Sequence, residues 1–349
     1  MKRFLSAASC AALVSVGVLG AANAQSIEVA STFAKNQPYL GEGGEFFVSR
    51  LSELSEGRIN FEIYGAGELV PPFEVFDAVS SGAVRAGWDW VGYWADRIPA
   101  VGLIGAMPFG PDPLTFMSWM WSGEGLELLQ RAYEPHNVVA LPCHLTAAEP
   151  AGWFNVELNN TADLQGLRFR ISGLGGRVMD RLGASTSLIA GGELYVSLER
   201  GRIDGLEFSL PVVDRSIGVY QIASYYYFPG WHQPASWNSF IINRDVWDGY
   251  SEHDQELFWA ACRETVMNSL ITVAADQVEV LRYFEEQGVE VRRLPDELLE
   301  ALQEASREVI EETAATDELF REVYESLRDH MEVEQVWFNL QHLPRTAAE

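Results

Sequence analysis

The sequence has almost no lysine. Only Lys2 and Lys35 occur in 349 residues, and 24 basic residues face 50 acidic ones, for a formal net charge of −26. So acidic a chain is a poor partner for nucleic acid or anionic lipid, whose phosphates it repels. Cysteine is scarce too: Cys10, Cys143 and Cys262 are too few for a disulfide-built scaffold. After the first two dozen residues no apolar run is long enough to span a bilayer. The common catalytic signatures are missing as well. G-x-S-x-G, H-E-x-x-H, C-x-x-C and a glycine-rich loop ending in Lys-Ser/Thr do not occur. The six histidines, at 136, 144, 232, 253, 330 and 342, lack ligand spacing, and His232 beside an aromatic run reads as a core or surface residue. No organic cofactor is expected.

What is present begins with an export signal. Lys2 and Arg3 precede a small and apolar run from Phe4 to Leu19, and Ala22-Asn23-Ala24 supplies an A-x-A cleavage site. Residues 1–24 are therefore read as a signal peptide, with the mature chain starting near Gln25 in the periplasm. Losing Lys2 and Arg3 takes the formal charge from −26 to −28. About 325 residues remain, enough for two domains with separate cores. Of the cysteines only Cys143 and Cys262 survive cleavage; a disulfide is open to them in that compartment, but two buried free thiols are the expectation.

Strand and helix patterns alternate through the first third. Ile27 to Phe33, Arg58 to Tyr64 and Val84 to Trp90 read as strands, with Gly41 to Ser55 and Pro72 to Ser80 as helices between them. Repeated βαβ units predict an α/β fold with a largely parallel sheet. The glycine- and proline-rich stretch from Pro99 to Pro113 reads as a long connection. A strand from Val138 to Leu145 ends this unit, and a second α/β unit opens near Glu149. Helical periodicity from Ser251 to Phe284 is long enough to serve two domains, and the acidic remainder from Pro295 is helical. The expected division is 25–146 plus about 235–262 in the first domain and 147–234 plus about 263–349 in the second. The helix at about 251–284 spans both.

The segment from Asp163 to Phe208 carries the functional signal. In Leu167-Arg168-Phe169-Arg170-Ile171 the period of two sets both arginines opposite the apolar residues, and the turn Ser172-Gly173-Leu174-Gly175-Gly176 follows. Open α/β sheets bind ligands at the carboxyl ends of their strands, and a planar guanidinium grips a carboxylate through two parallel hydrogen bonds. A carboxylate-binding cleft follows from that placement.

The export signal and the segments GRINFEIYGAGELVPPFEVFDAVSSGAV, DLQGLRFRISGLGGRVMDRLGAS, AGGELYVSLERGRIDGLEF and SYYYFPGW together resemble the DctP-type solute-binding subunits of tripartite ATP-independent periplasmic (TRAP) transporters. The likeness is greatest to the branch that binds 2-oxo acids and related small carboxylates. It implies a two-domain periplasmic binding protein fold, with crossing strands and a long interdomain helix, that closes on one solute and delivers it to membrane permease subunits. It implies that Arg170 holds the carboxylate while Arg168 packs or faces solvent. In that branch a cation bridges to the solute, held by a glutamine, a glutamate and the carbonyl of the following tryptophan. Glu207 matches the glutamate, Phe208 replaces the tryptophan, and Glu149 stands where the glutamine would be. Two carboxylates favour Ca²⁺ over Na⁺, although Glu149 could instead pair with Arg170 or with the ammonium of a zwitterionic solute. Relatives dimerise through the C-terminal helix, which makes Glu318 to Phe338 the candidate surface for a homodimer.

Tyr93 and Trp94 follow the third strand into a loop where family members place an aromatic against the solute; Trp153, Phe208 and Trp231 are candidates for the opposite wall and Asn238 for a further polar contact, while each aromatic taken singly also fits the core. The expected ligand is a 2-oxo or 2-hydroxy monocarboxylate with room for a branched or aromatic side chain. Two rivals remain: an exported enzyme using Glu149 and Glu207 as acid and base, and a binding protein serving a membrane sensor.

Overall fold

The computed structural model describes residues 26–341, so the export signal lies outside the described residues. Two sheets organise them. The first joins β1 (Ile27–Ser31), β2 (Phe61–Tyr64), β3 (Ala86–Trp90), β4 (Val138–Thr146) and a late strand, Ser236–Asn243. The second joins β5 (Gly152–Phe154), β6 (Arg168–Arg170), β7 (Ser185–Ser187), β8 (Gly205–Leu206), β9 (Tyr225–Phe228) and Glu290–Arg293. With the late strands numbered β10 and β11, the orders are β2-β1-β3-β10-β4 and β11-β9-β5-β8-β6-β7.

Two connectors pass between the sheets, from β4 to β5 and from β9 to β10, and a long helix later carries the chain from β10 back to β11. Each connector delivers an antiparallel strand into an otherwise parallel neighbourhood: β10 runs against β3 and β4, and β5 against β8 and β9. The two connectors lie side by side, with Glu149 N–H donating to the Gln233 carbonyl at 3.2 Å and Ala151 N–H to that of Tyr227 at 2.8 Å. They touch at Gly230, where a Cβ would come within 2.0 Å of the Glu149 carbonyl oxygen. Only glycine lets the two backbones approach so closely.

Pro99 to Pro113 differs from its sequence reading. A helix fills Pro99–Gly105, started by a proline at its first position and held by the buried Val101, Leu103 and Ile104. Burial, not propensity, decides for helix there.

The long helix Glu252–Glu286 is capped by Ser251, whose Oγ accepts from Asp254 N–H at 3.1 Å. Its first half packs on β4 and the helix Leu40–Leu54, burying Phe258, Ala261 and Val266; its second half reaches the helix Pro211–Ile217 and β11, burying Val280 and Phe284. Serving both sheets is what keeps 35 residues helical. Cys262 on this helix is bonded to Cys143 on β4, a correction to the expected free thiols. The helices Asp296–Thr316 and Glu318–Gln341 then run back from the second sheet to the helices covering the first. None of the described helices is long and apolar enough to cross a membrane.

Candidate functional site

Strand pairing brings the site together. β6 and β8 are parallel, with Arg170 level with Leu206, so Arg170 and Glu207 emerge beside each other at the carboxyl edge of the second sheet. Both side chains are about 1 % exposed. Arg170 Nη1 donates to Glu207 Oε1 at 2.9 Å and also to the Glu207 carbonyl, while Nε donates to the Ile189 carbonyl at 3.1 Å. Nη2 alone has no hydrogen bond among the described residues. The two-nitrogen fork expected for a carboxylate is thus half committed to the protein, and Nη2 is its uncommitted end.

The turn after β6 completes the hold on Glu207. Ser172 donates to Oε1 through its amide at 2.8 Å and its hydroxyl at 3.0 Å. Burial alone would raise this carboxyl, but Arg170, His232 and the Ser172 amide outweigh it and hold the pKa at about 2. Glu207 is therefore a fixed carboxylate whose Oε2 has no partner among the described residues.

Glu149 reaches the same place along the first connector. Its Oε1 accepts from Ser209 Oγ at 3.2 Å, and its buried Oε2 has no hydrogen bond among the described residues. Burial, then the charges of Glu207 and Asp214, push its pKa well up. The second connector supplies a residue that sequence reading set aside. His232 is 2 % exposed, with Nε2 3.5 Å from Glu207 Oε2 and 4.0 Å from Glu149 Oε2. Glu149, Glu207 and His232 each offer one ligand atom, all within 4.8 Å of one another. Nothing in the spacing of 149, 207 and 232 signals this; it depends on two connectors lying side by side.

A cavity of about 20 Å³ lies beside the cluster, between the sheets. Trp90, Tyr93, Thr146 and Asn238 line it from the first sheet's side, Glu149 and Gln233 from the connectors, and Ser172, Phe208 and Ser209 from the second. Tyr93 and Phe208 each also face an outer groove, so these rings separate the cavity from the surface. Burial, with Arg170 lowering and Glu207 raising, leaves the Tyr93 phenol at about 12, a proton donor at any ordinary pH. The Phe208 ring lies 5.4 Å from the Arg170 guanidinium. Asn238 Nδ2 donates to Thr146 Oγ1 at 3.1 Å and meets His144 Nδ1 at 2.9 Å. Trp90 brings a buried indole N–H with no hydrogen-bond partner among the described residues.

Three expected wall residues stand behind the wall instead. Trp153 stacks on Tyr226 at 3.9 Å and donates its indole N–H to Asp214 at 2.8 Å. Trp94 donates to Asp89 at 2.5 Å and packs on Phe76. Trp231 packs between Phe109 and His232. Each satisfies its polar atom or buries its ring inside the core, which composition cannot distinguish from a cleft position. Arg168 pairs outward with Asp204.

This geometry, two sheets closing on a buried arginine and acidic cluster at crossing connectors, defines a solute-binding protein of the periplasmic type. The family model for bacterial extracellular solute-binding proteins, family 7, matches residues 29–317, and the chain belongs to that family. It is 35% identical over 283 residues, 81% of this chain and 78% of the relative, to a monocarboxylate 2-oxoacid-binding periplasmic protein of Nostoc sp.. Two TRAP solute-binding proteins of known structure are similar throughout. That of Bordetella bronchiseptica, a mixed-occupancy dimer with calcium and picolinate bound, superposes with a TM-score of 0.88 at 28% identity, covering 90% of this chain and 94% of that one. That of Pseudoalteromonas atlantica, with sodium and pyruvate bound, gives 0.86 at 28%, covering 90% and 96%. Family and fold are those of solute-binding proteins and not of enzymes.

Proposed function

We propose that this chain is exported to the periplasm, captures a short 2-oxo or 2-hydroxy monocarboxylate and hands it unchanged to a TRAP permease. The observation that carries the reading is the buried Arg170, paired with Glu207 and carrying one uncommitted nitrogen, in an acidic cluster next to a small cavity that Glu149, Tyr93 and Phe208 line. Nη2, with Tyr93 and the Trp90 indole as neighbouring donors, takes the carboxylate. A cation held by Glu149, Glu207 and the Phe208 carbonyl takes the adjacent oxo or hydroxyl oxygen, as the ions found with pyruvate and picolinate in similar proteins suggest. The space of about 20 Å³ is too small for any oxo acid, so the two sides must part for entry.

Calorimetry with pyruvate, longer oxo acids and amino acids tests this. Pyruvate binds best, and Arg170→Met weakens it by about two orders of magnitude, the loss of one or two charge-assisted hydrogen bonds. The variant also melts earlier, because Glu207 is left buried without its cation. Amino acids binding better than oxo acids, with no effect of chelator, would replace the metal by a solute ammonium. Equal pyruvate affinity in the variant removes Arg170 from recognition.

The C-terminal helix carries a second part of the proposal. Val333, Val336, Trp337 and Leu340 are exposed at i, i+3, i+4 and i+7 of Glu318–Gln341, an apolar stripe that pairs with a second copy of the chain.

A further inference from the structure

A second cavity, of about 330 Å³, lies between the helix Leu40–Leu54 and the long helix Glu252–Glu286 and shares no lining residue with the solute cavity. Small-ligand pockets start at about that size. Tyr39, Glu42 and Phe46 line it at i, i+3 and i+7 of one helical face, and Asn268, Thr272 and Asp276 at i, i+4 and i+8 of another. His144 closes it from β4 and is 1 % exposed. The ring fits there because residue 43 is glycine: a Cβ on Gly43 would come within 2.6 Å of the imidazole. Tyr39 packs edge-on to the same ring at 4.5 Å, from a strained backbone with φ of 66°.

The charge around this cavity is one-sided. No lysine or arginine lines it. The Glu42 carboxylate accepts the Tyr39 N–H at 3.3 Å, and Asp276 has no hydrogen bond or ion pair among the described residues, so neither acid has a basic partner there. His144 is set as a donor. Asn238 Nδ2 meets its Nδ1 at 2.9 Å, which leaves the ring proton on Nε2, and burial keeps the ring neutral by lowering its pKa to about 3. Nε2 faces the gap at Gly43, 3.0 Å from where a Cβ would stand. The Tyr39 carbonyl draws that proton but already accepts Gly43 N–H at 2.9 Å, and Nε2 makes no hydrogen bond among the described residues. We propose that this cavity is a binding site for a small amino alcohol, a choline- or ethanolamine-like cation whose charge meets Glu42 and Asp276 and whose oxygen accepts from His144. Two unpaired carboxylates repel an anion such as the carboxylate solute, while Phe46 and the Tyr39 ring offer aromatic faces to an ammonium group. The assignment stands whether or not the carboxylate reading does.

The test is calorimetry on the mature chain with choline and tetramethylammonium chlorides at fixed ionic strength, with and without saturating pyruvate. One choline binds per chain with a Kd below about 1 mM, and tetramethylammonium, which lacks the hydroxyl, binds at least about 10-fold more weakly. Pyruvate leaves the choline affinity within a few-fold. A Glu42→Gln, Asp276→Asn double variant weakens choline by at least about 10-fold, and Thr272→Trp, which fills the cavity from an exposed helical position, abolishes its binding. Both variants keep pyruvate affinity within a few-fold of the unmutated chain. Choline affinity unchanged in either variant marks attraction to the acidic surface at large and overturns the proposal. Choline displaced one for one by pyruvate places it in the solute cavity and also overturns it. Tetramethylammonium binding as tightly as choline removes the contact with His144 and with it the assigned ligand class. A chain that binds choline but no oxo acid keeps this site and sinks the carboxylate reading alone.

Discussion

At the scale of single residues, the candidate site consists of buried charges held in place with one atom of each left over. Arg170 and Glu207 are legible through the family resemblance, although they end two different strands 37 positions apart. His232 is not, since it stands on a connector and meets Glu149 and Glu207 only because the two connectors lie side by side. Trp94, Trp153 and Trp231 fit core and cleft alike from sequence, because both draw on the same aromatics, and the structure decides for the core. Behind the site, Asp214 ties Trp153, Tyr226 and the Ser209 amide together. Burial outweighs these three donors and pushes its carboxyl from 3.8 up to about 7. A raised acid holds its proton in the folded state after the unfolded chain has lost it. Asp214 therefore contributes its full stability below about pH 4, and that contribution falls as pH rises to about 7, by up to about 1.4 kcal/mol per pH unit. Urea melts of Asp214→Asn between pH 4 and 8 should show a shallower fall than the unmutated chain. An unchanged slope would mean that Asp214 is ionised throughout.

At the scale of elements, most strands and helices follow from the alternation of apolar residues, but what joins them does not. The strands of the second sheet are two to four residues long, too short for period-two patterning to set their order. The antiparallel insertion of β5 and β10 is a property of the crossings and leaves no mark on either strand's composition. The same holds for the disulfide: Cys143 and Cys262 sit in a strand and a helix whose contact is tertiary. This bond closes a loop spanning 119 positions and fastens the long helix to β4. Chain-entropy reasoning for a loop of that size gives about 4–5 kcal/mol of stabilisation. A Cys143→Ala, Cys262→Ala double variant should lose about that much in urea denaturation while binding pyruvate with nearly normal affinity, because neither sulfur approaches the cavity. Full stability in the double variant would show that packing of the helix on β4 suffices alone.

At the scale of the whole molecule, the acidic surface and the apolar C-terminal stripe pull in opposite directions. A formal charge of −26 makes copies of this chain repel one another, most strongly at low ionic strength. Val333, Val336, Trp337 and Leu340 give them a reason to meet, at the end of a helix whose earlier turns bury Phe320, Val323 and Leu327 against the protein's own body. Self-association should therefore strengthen with salt, the opposite of an interface built on ion pairs. Sedimentation equilibrium at 50 and 500 mM NaCl should show more dimer at the higher concentration, and Trp337→Glu should give monomer at both. Pyruvate affinity should be unaltered in that variant, since the stripe belongs to the outer end of the last helix and the cavity is lined from the two sheets and their connectors. Monomer for the unmutated chain at both salt concentrations would leave the stripe without a second copy, and dimer that dissolves with salt would put the interface on charged residues elsewhere.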